Sequence, residues 1–289
     1  MAWLVMLFLA VFGPASAPGG SGEGNRDGEP GVNIALDALG ADERGRLPPV
    51  TRARGANPPL VVIDAGHGGR DPGAASPFAE AREKDITLAL ARAIRDDLAR
   101  SARVRVALTR DDDSYLVLQD RYEIARRLGA DLFISIHADA APLNDQAHGA
   151  TVYTLSEVAS DREAAQLAQR ENETDLVGAR LSAEPDVNLI LIDLARRESM
   201  NISADFARLL YREAAPVFPF RPDWHRFAAF VVLKAPDIPS VLFESGYLTN
   251  QVDAAFIQSP QGQRQIADGM RRAIEAHFAS RLLGPRTSS

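Results

Sequence analysis

Three short apolar runs in this chain each lead into a polar residue that a core does not need. Leu60-Val61-Val62-Ile63 runs through Asp64-Ala65-Gly66 to His67, Leu132–Ile136 runs to His137, and Val241-Leu242-Phe243 runs to Glu244. Continuous apolar runs of this length read as strands covered on both faces. Longer segments between them carry a helical stripe. Glu83–Arg100 places Ile86, Ala89, Leu90, Ala93 and Ile94 at three- and four-residue spacing, and Leu116–Leu128 stops at Gly129. Arg103–Leu108, Thr151–Leu155 and Ala228–Leu233 complete the strand set, and Gln261–Leu283 reads as a last helix. This alternation predicts an α/β sandwich around a mostly parallel or mixed sheet.

The 289 residues suffice for one large domain or two small ones. A net charge of −7, with no Lys/Arg block, argues against nucleic acid as a partner. The chain has no cysteine, so a metal site would have to use His, Asp or Glu. Trp3–Phe12 is apolar but too short for the roughly 20 residues that cross a bilayer. Pro14 and the small-x-small Ala15-Ser16-Ala17 follow, so residues 1–17 read as a signal peptide, although its start lacks Lys and Arg. The expectation is a periplasmic or secreted protein with no transmembrane segment once processed. Residues 18–58 form a Gly-, Pro- and charge-rich lead-in with one apolar patch, Val32–Leu39; residues 59–282 are the folded region and 283–289 a tail. Residues 157–200 make an unusually long, polar, mainly helical connection, as functional lids and insertions do.

The strand ends collect the chemistry. Gly66, Gly68 and Gly69 let the backbone turn sharply around His67. Open α/β sheets bind ligands at the carboxyl ends of their strands. Period-two alternation puts Phe133, Ser135 and His137 on one face and Leu132, Ile134 and Ile136 on the other. Glu83 lies in the first turn of its helix, three residues before the buried Ile86; Glu80 and Asp85 compete with it, and spacing does not choose among the three. Two His, a carboxylate and an open position are what catalytic zinc requires, and a separate carboxylate must move the proton.

Ile63-Asp64-Ala65-Gly66-His67-Gly68-Gly69 with Asp71-Pro72-Gly73, then Glu83-Lys84-Asp85, Ser135-Ile136-His137-Ala138 and Pro239-Ser240-Val241-Leu242-Phe243-Glu244-Ser245-Gly246, resemble in order the zinc-dependent N-acetylmuramoyl-L-alanine amidases of bacterial cell walls. Thr109-Arg110-Asp111, Arg121 and Lys234–Pro239 fit as well, and the likeness covers roughly 59–282. The resemblance implies a six-stranded mixed sheet flanked by helices. It also implies one Zn2+ held by His67, Glu83 and His137, with Glu244 as the catalytic carboxylate. The substrate would be peptidoglycan, cut at the amide between N-acetylmuramic acid and L-alanine. This chain has Asp139 where the family often has Asn, Ser245 where it often has Thr, and Ala228-Ala229-Phe230 where a Gly is usual. Residues 18–58 are too few for the wall-targeting domain that many relatives carry.

The long insertion resembles that of the division amidases, in which a helix covers the site until an activator protein displaces it. Arg170-Glu171-Asn172-Glu173 is the matching stretch, so Glu171 is expected to block the metal, and deletion of Ala159–Arg197 to raise basal activity. Two rival readings share the residues: a zinc peptidase acting on stem peptides, and a non-catalytic peptidoglycan-binding regulator.

Overall fold

The computed structural model describes residues 47–78, 81–141, 144, 146–173 and 189–282. The expected signal peptide, most of the lead-in, the Val32–Leu39 patch, Glu80 and the tail lie outside the described residues.

The elements follow as β1 (Leu60–Ala65), α1 (Glu83–Ser101), β2 (Arg105–Leu108), α2 (Leu118–Leu128), β3 (Leu132–Asp139), β4 (Ala150–Leu155), α3 (Arg162–Glu173), α4 (Leu189–Ala214), β5 (Phe220–Ala228), β6 (Ser240–Tyr247), α5 (Gln251–Gln258) and α6 (Pro260–Leu282). The six strands form one mixed sheet in the order β2-β1-β3-β6-β4-β5. All neighbours are parallel except β4 and β6. Thus β1, β3 and β6, the strands that lead to His67, His137 and Glu244, are consecutive in the middle of the sheet and point the same way.

Strand alternation sorts side chains into two cores. Val61 and Ile63 of β1, Ile134 and Ile136 of β3 and Phe243 of β6 pack against Leu90 and Ile94 of α1, Phe206 and Leu210 of α4 and Ile274 of α6. On the other face, Val62, Phe133, Tyr153 and Leu242 meet Ala125 of α2 and Ala164, Leu167 and Ala168 of α3. The first part of α3 is therefore core. Deleting Ala159–Arg197 would remove these side chains along with the rest of the connection. Among the described residues, no helix is long and apolar enough to cross a membrane.

Two stretches differ from the sequence reading. The apolar run Ala228–Leu233 is not a strand: β5 ends at Ala228, and Val231–Leu233 is a 3-10 turn whose Val232 and Leu233 are buried. The sixth strand is instead Phe220–Ala228, whose Pro222 and Asp223 disguise it. It is an edge strand, where such residues are tolerated because only one side must pair.

Candidate metal centre

His67 is two residues past β1, at φ +60°, a left-handed conformation that costs a non-glycine residue energy and persists only when neighbours enforce it. Two buried arginines enforce it. Arg110 donates to the carbonyls of Ala65 (2.9 Å) and Gly66 (2.8 Å). Arg121 donates to those of Ala65 (2.8 Å) and His67 (2.9 Å). Arg121 is itself paired with the fully buried Asp64 at 2.9 Å, and Asp64 also accepts from Thr109 and Ser135. Asp64 stays ionised: burial pushes its carboxyl up, but Arg121 and the two hydroxyls outweigh burial and hold it below the usual range.

Nδ1 of His67 is 2.8 Å from Asp71 Oδ2, which turns Nε2 toward the site. Glu83, in the first turn of α1, reaches the same point. Its Oε2 accepts from Ala74 N (2.8 Å) and its Oε1 from Ala138 N (3.0 Å), so it ties the loop after β1 to β3. Asp85 is exposed, and its carboxylate accepts from Arg82 N at the helix start. His137 lies inside β3 rather than at its end, and its carbonyl accepts from Ser245 Oγ at 2.9 Å. Its ring lies against Gly66, where a Cβ would come within 2.5 Å of the imidazole. Gly73 is constrained in the same way: φ is +63°, and a Cβ would stand 2.7 Å from both Glu83 Oε2 and His67 Cδ2.

Glu171, in the last turn of α3, completes the group. Glu83 Oε1 is 3.1 Å from His67 Nε2 and 3.2 Å from His137 Nδ1, and Glu171 Oε2 is 3.4 Å from each of the same nitrogens. Donors bound tetrahedrally at about 2.0–2.1 Å stand about 3.3 Å apart. These spacings fit a zinc-sized ion: His67, His137 and Glu171 could hold a metal together, and Glu83 Oε1 stands 3.1 and 3.2 Å from the same two histidines. His67 Nε2 is buried and has no hydrogen-bond partner, as a free ligand atom would be. A cavity of about 850 Å³ opens over this group and is lined by His67, Glu83, Asp139, Arg170 and Glu171 among others.

The electrostatics are those of crowded carboxylates. Burial would lift Glu83, but His67 and His137 hold it well below the usual carboxylate range. Burial would lower His67, but Glu83 and Glu171 raise it well above the ordinary imidazole value. Burial, with Asp139, Glu83 and Glu171 nearby, pushes Glu244 well up against the weaker pull of His67, and neither of its oxygens has a hydrogen-bond partner. It lies mid-strand in β6, beside His137 in the register and three residues before the strand ends. Burial raises Asp139 to about 7, against the pull of Arg170.

The sequence reading gave Asp71 and Arg110 no role, and Asp64 was only a strand residue. Asp71 follows His67 by four residues, a visible cue. Nothing local distinguishes a buried arginine such as Arg121 from a surface one.

Residues 61–276 match the N-acetylmuramoyl-L-alanine amidase family. The chain is 35% identical over 248 residues to the N-acetylmuramoyl-L-alanine amidase AmiA of Escherichia coli K12, covering 85% of this chain and 84% of that protein. It is 33% identical to AmiC of an Escherichia coli O6:H1 strain, over 77% of this chain but only 53% of AmiC. The catalytic domain of CwlV, an amidase from Bacillus (Paenibacillus) polymyxa var. colistinus, superposes with a TM-score of 0.57 at 27% identity, covering 76% of this chain and 98% of that domain. With the mixed sheet and the site just described, these likenesses place the chain in the N-acetylmuramoyl-L-alanine amidase family, whose members hydrolyse peptidoglycan.

Proposed function

We propose that this chain is a zinc-dependent amidase held closed by its own helix α3, exported through residues 1–17 to act on the cell wall, with 18–58 as lead-in and 59–282 as the catalytic domain. The observation that carries the reading is the set of four donor–donor distances of 3.1–3.4 Å around His67 and His137. His67, Glu83 and His137 hold the ion in this reading, and Glu171 occupies the position that substrate needs. When bound, zinc supplies Lewis acidity toward the scissile carbonyl and makes water more acidic. Glu244 accepts a proton from the attacking water on its carboxylate and returns it to the departing amine of L-alanine. Arg110 and Arg121 keep the His67 loop in its strained turn.

Three neighbouring side chains dock the end of α3. Arg170 reaches Asp139 (3.1 Å), Glu171 reaches both histidines, and Asn172 accepts from Val231 N (2.8 Å) and donates to Ala229 O (2.9 Å). Ala164, Leu167 and Ala168, by contrast, are part of the core. Opening therefore means unwinding the last turn while the first two stay packed, and an activator protein would stabilise the unwound form.

Metal content and thermal unfolding test the ligand set. Zinc should bind one per chain and raise Tm by about 5–15 °C at saturating concentration. His67→Ala, Glu83→Ala and His137→Ala should each abolish the rise. A folded protein that takes up no zinc would sink the reading.

A further inference from the structure

Glu244 must exchange a proton in a fixed position, yet nothing described so far holds its carboxyl group. Both of its oxygens are buried and unpartnered. Thr151 is also buried, and its Oγ1 likewise has no partner. These two residues face one another directly: in the antiparallel β4–β6 pair, Thr151 is in register with Glu244. Residues directly opposite in an antiparallel pair project to the same face with Cβ atoms about 4.5–5.5 Å apart. A hydroxyl and a carboxyl at that spacing are a rotamer change away from a hydrogen bond. Two such groups buried side by side and both unpaired are unusual, because buried polar atoms are nearly always bonded.

We infer that Thr151 is the positioning residue for Glu244, its hydroxyl bonding the carboxyl group and fixing the rotamer from which the proton is moved. The inference rests on the reading of Glu244 as the catalytic carboxylate. A hydroxyl suits the task because it both donates and accepts. It donates to the carboxylate before Glu244 takes the proton and accepts from the carboxylic acid afterwards, so the contact survives both states. A backbone N–H or an arginine could only donate. Thr151 is held in register by β6, while on its β5 side the pairing is irregular between Ala150 and Val152.

The test uses the full zinc-loaded chain, in the more active of the wild-type and Glu171→Ala backgrounds, and measures stem-peptide release from sacculi. Thr151→Val keeps the side-chain shape and removes the hydroxyl; Thr151→Ser keeps the hydroxyl. Thr151→Val should lower kcat about ten- to a hundredfold, the scale of lost supporting contacts, with KM and zinc content unchanged. Thr151→Ser should recover most of that loss. Glu244→Gln is run alongside. If it leaves kcat intact, the reading of Glu244 fails and this inference with it. If Glu244→Gln abolishes release while Thr151→Val does not change kcat, or Thr151→Ser is no better than Thr151→Val, only the assignment of Thr151 is overturned.

Discussion

Glu171 Oε2 lies 3.4 Å from His67 Nε2 and the same distance from His137 Nδ1, so a side chain carried by α3 meets ring nitrogens delivered from the loop after β1 and from β3. If this contact blocks the site, Glu171→Ala should raise basal release of stem peptides by about tenfold or more, since apparent affinity scales with the open fraction. Zinc content should be unchanged. Equal activity in the two proteins would show that Glu171 is not a block.

Asn172 offers a gentler probe, because it touches no donor of the metal group. Its amide makes two backbone hydrogen bonds across to Ala229 and Val231. Each is worth about 1 kcal/mol. Asn172→Ala should therefore shift closed toward open by about thirtyfold, measured as higher basal activity and faster proteolysis at the end of α3. Unaltered proteolysis would place the hold on α3 elsewhere.

Arg121 and Asp64 form an ion pair at 2.9 Å with both side chains at 2% exposure or less. Removing one partner leaves a buried charge, a loss of about 3–5 kcal/mol. Arg121→Met should cost that much in denaturant unfolding. Arg126→Met, whose partners Glu123 and Asp237 are a third or more exposed, should cost under about 1 kcal/mol.

His277 stands outside the metal site, buried against Phe206. Burial, with Arg281 nearby, lowers it to about 4. Its folded value thus lies below the unfolded value near 6.5, so the unfolded state binds the proton first. Its contribution is fully present above pH about 6.5 and is lost as pH falls toward about 4, amounting to about 3 kcal/mol. His277→Leu should flatten that part of the stability–pH curve. Parallel curves for the two proteins would contradict the assignment.

How much of this was legible in the sequence depended on the range of the signal. The buried runs of β1, β3 and β6 and the residues they lead to are local patterns. The register that makes these strands neighbours then brings His67 and His137 within 4.9 Å, centroid to centroid, and Glu83 with them. The extent of the strands was less visible: β3 and β6 continue past His137 and Glu244. Helix α5 was missed although Asn250 announces it, its side chain accepting from Val252 N (3.0 Å) and Asp253 N (3.2 Å). Val231–Leu233 misled because an apolar run reads alike as strand or buried turn. The Arg110 and Arg121 clamps were out of reach, since Arg121 acts on a loop 54 residues earlier in the chain.

The central claim is that His67, Glu83 and His137 hold zinc at a site where Glu244 moves the proton for amide cleavage. The most direct test is mass analysis of sacculi digested by the zinc-loaded Glu171→Ala protein, with and without Glu244→Gln. The account predicts intact stem peptides with a free L-alanine amine, released in a zinc-dependent way and lost in the Glu244→Gln protein. Fragments cut within the stem peptide, or no release by a folded, zinc-loaded protein, would contradict it.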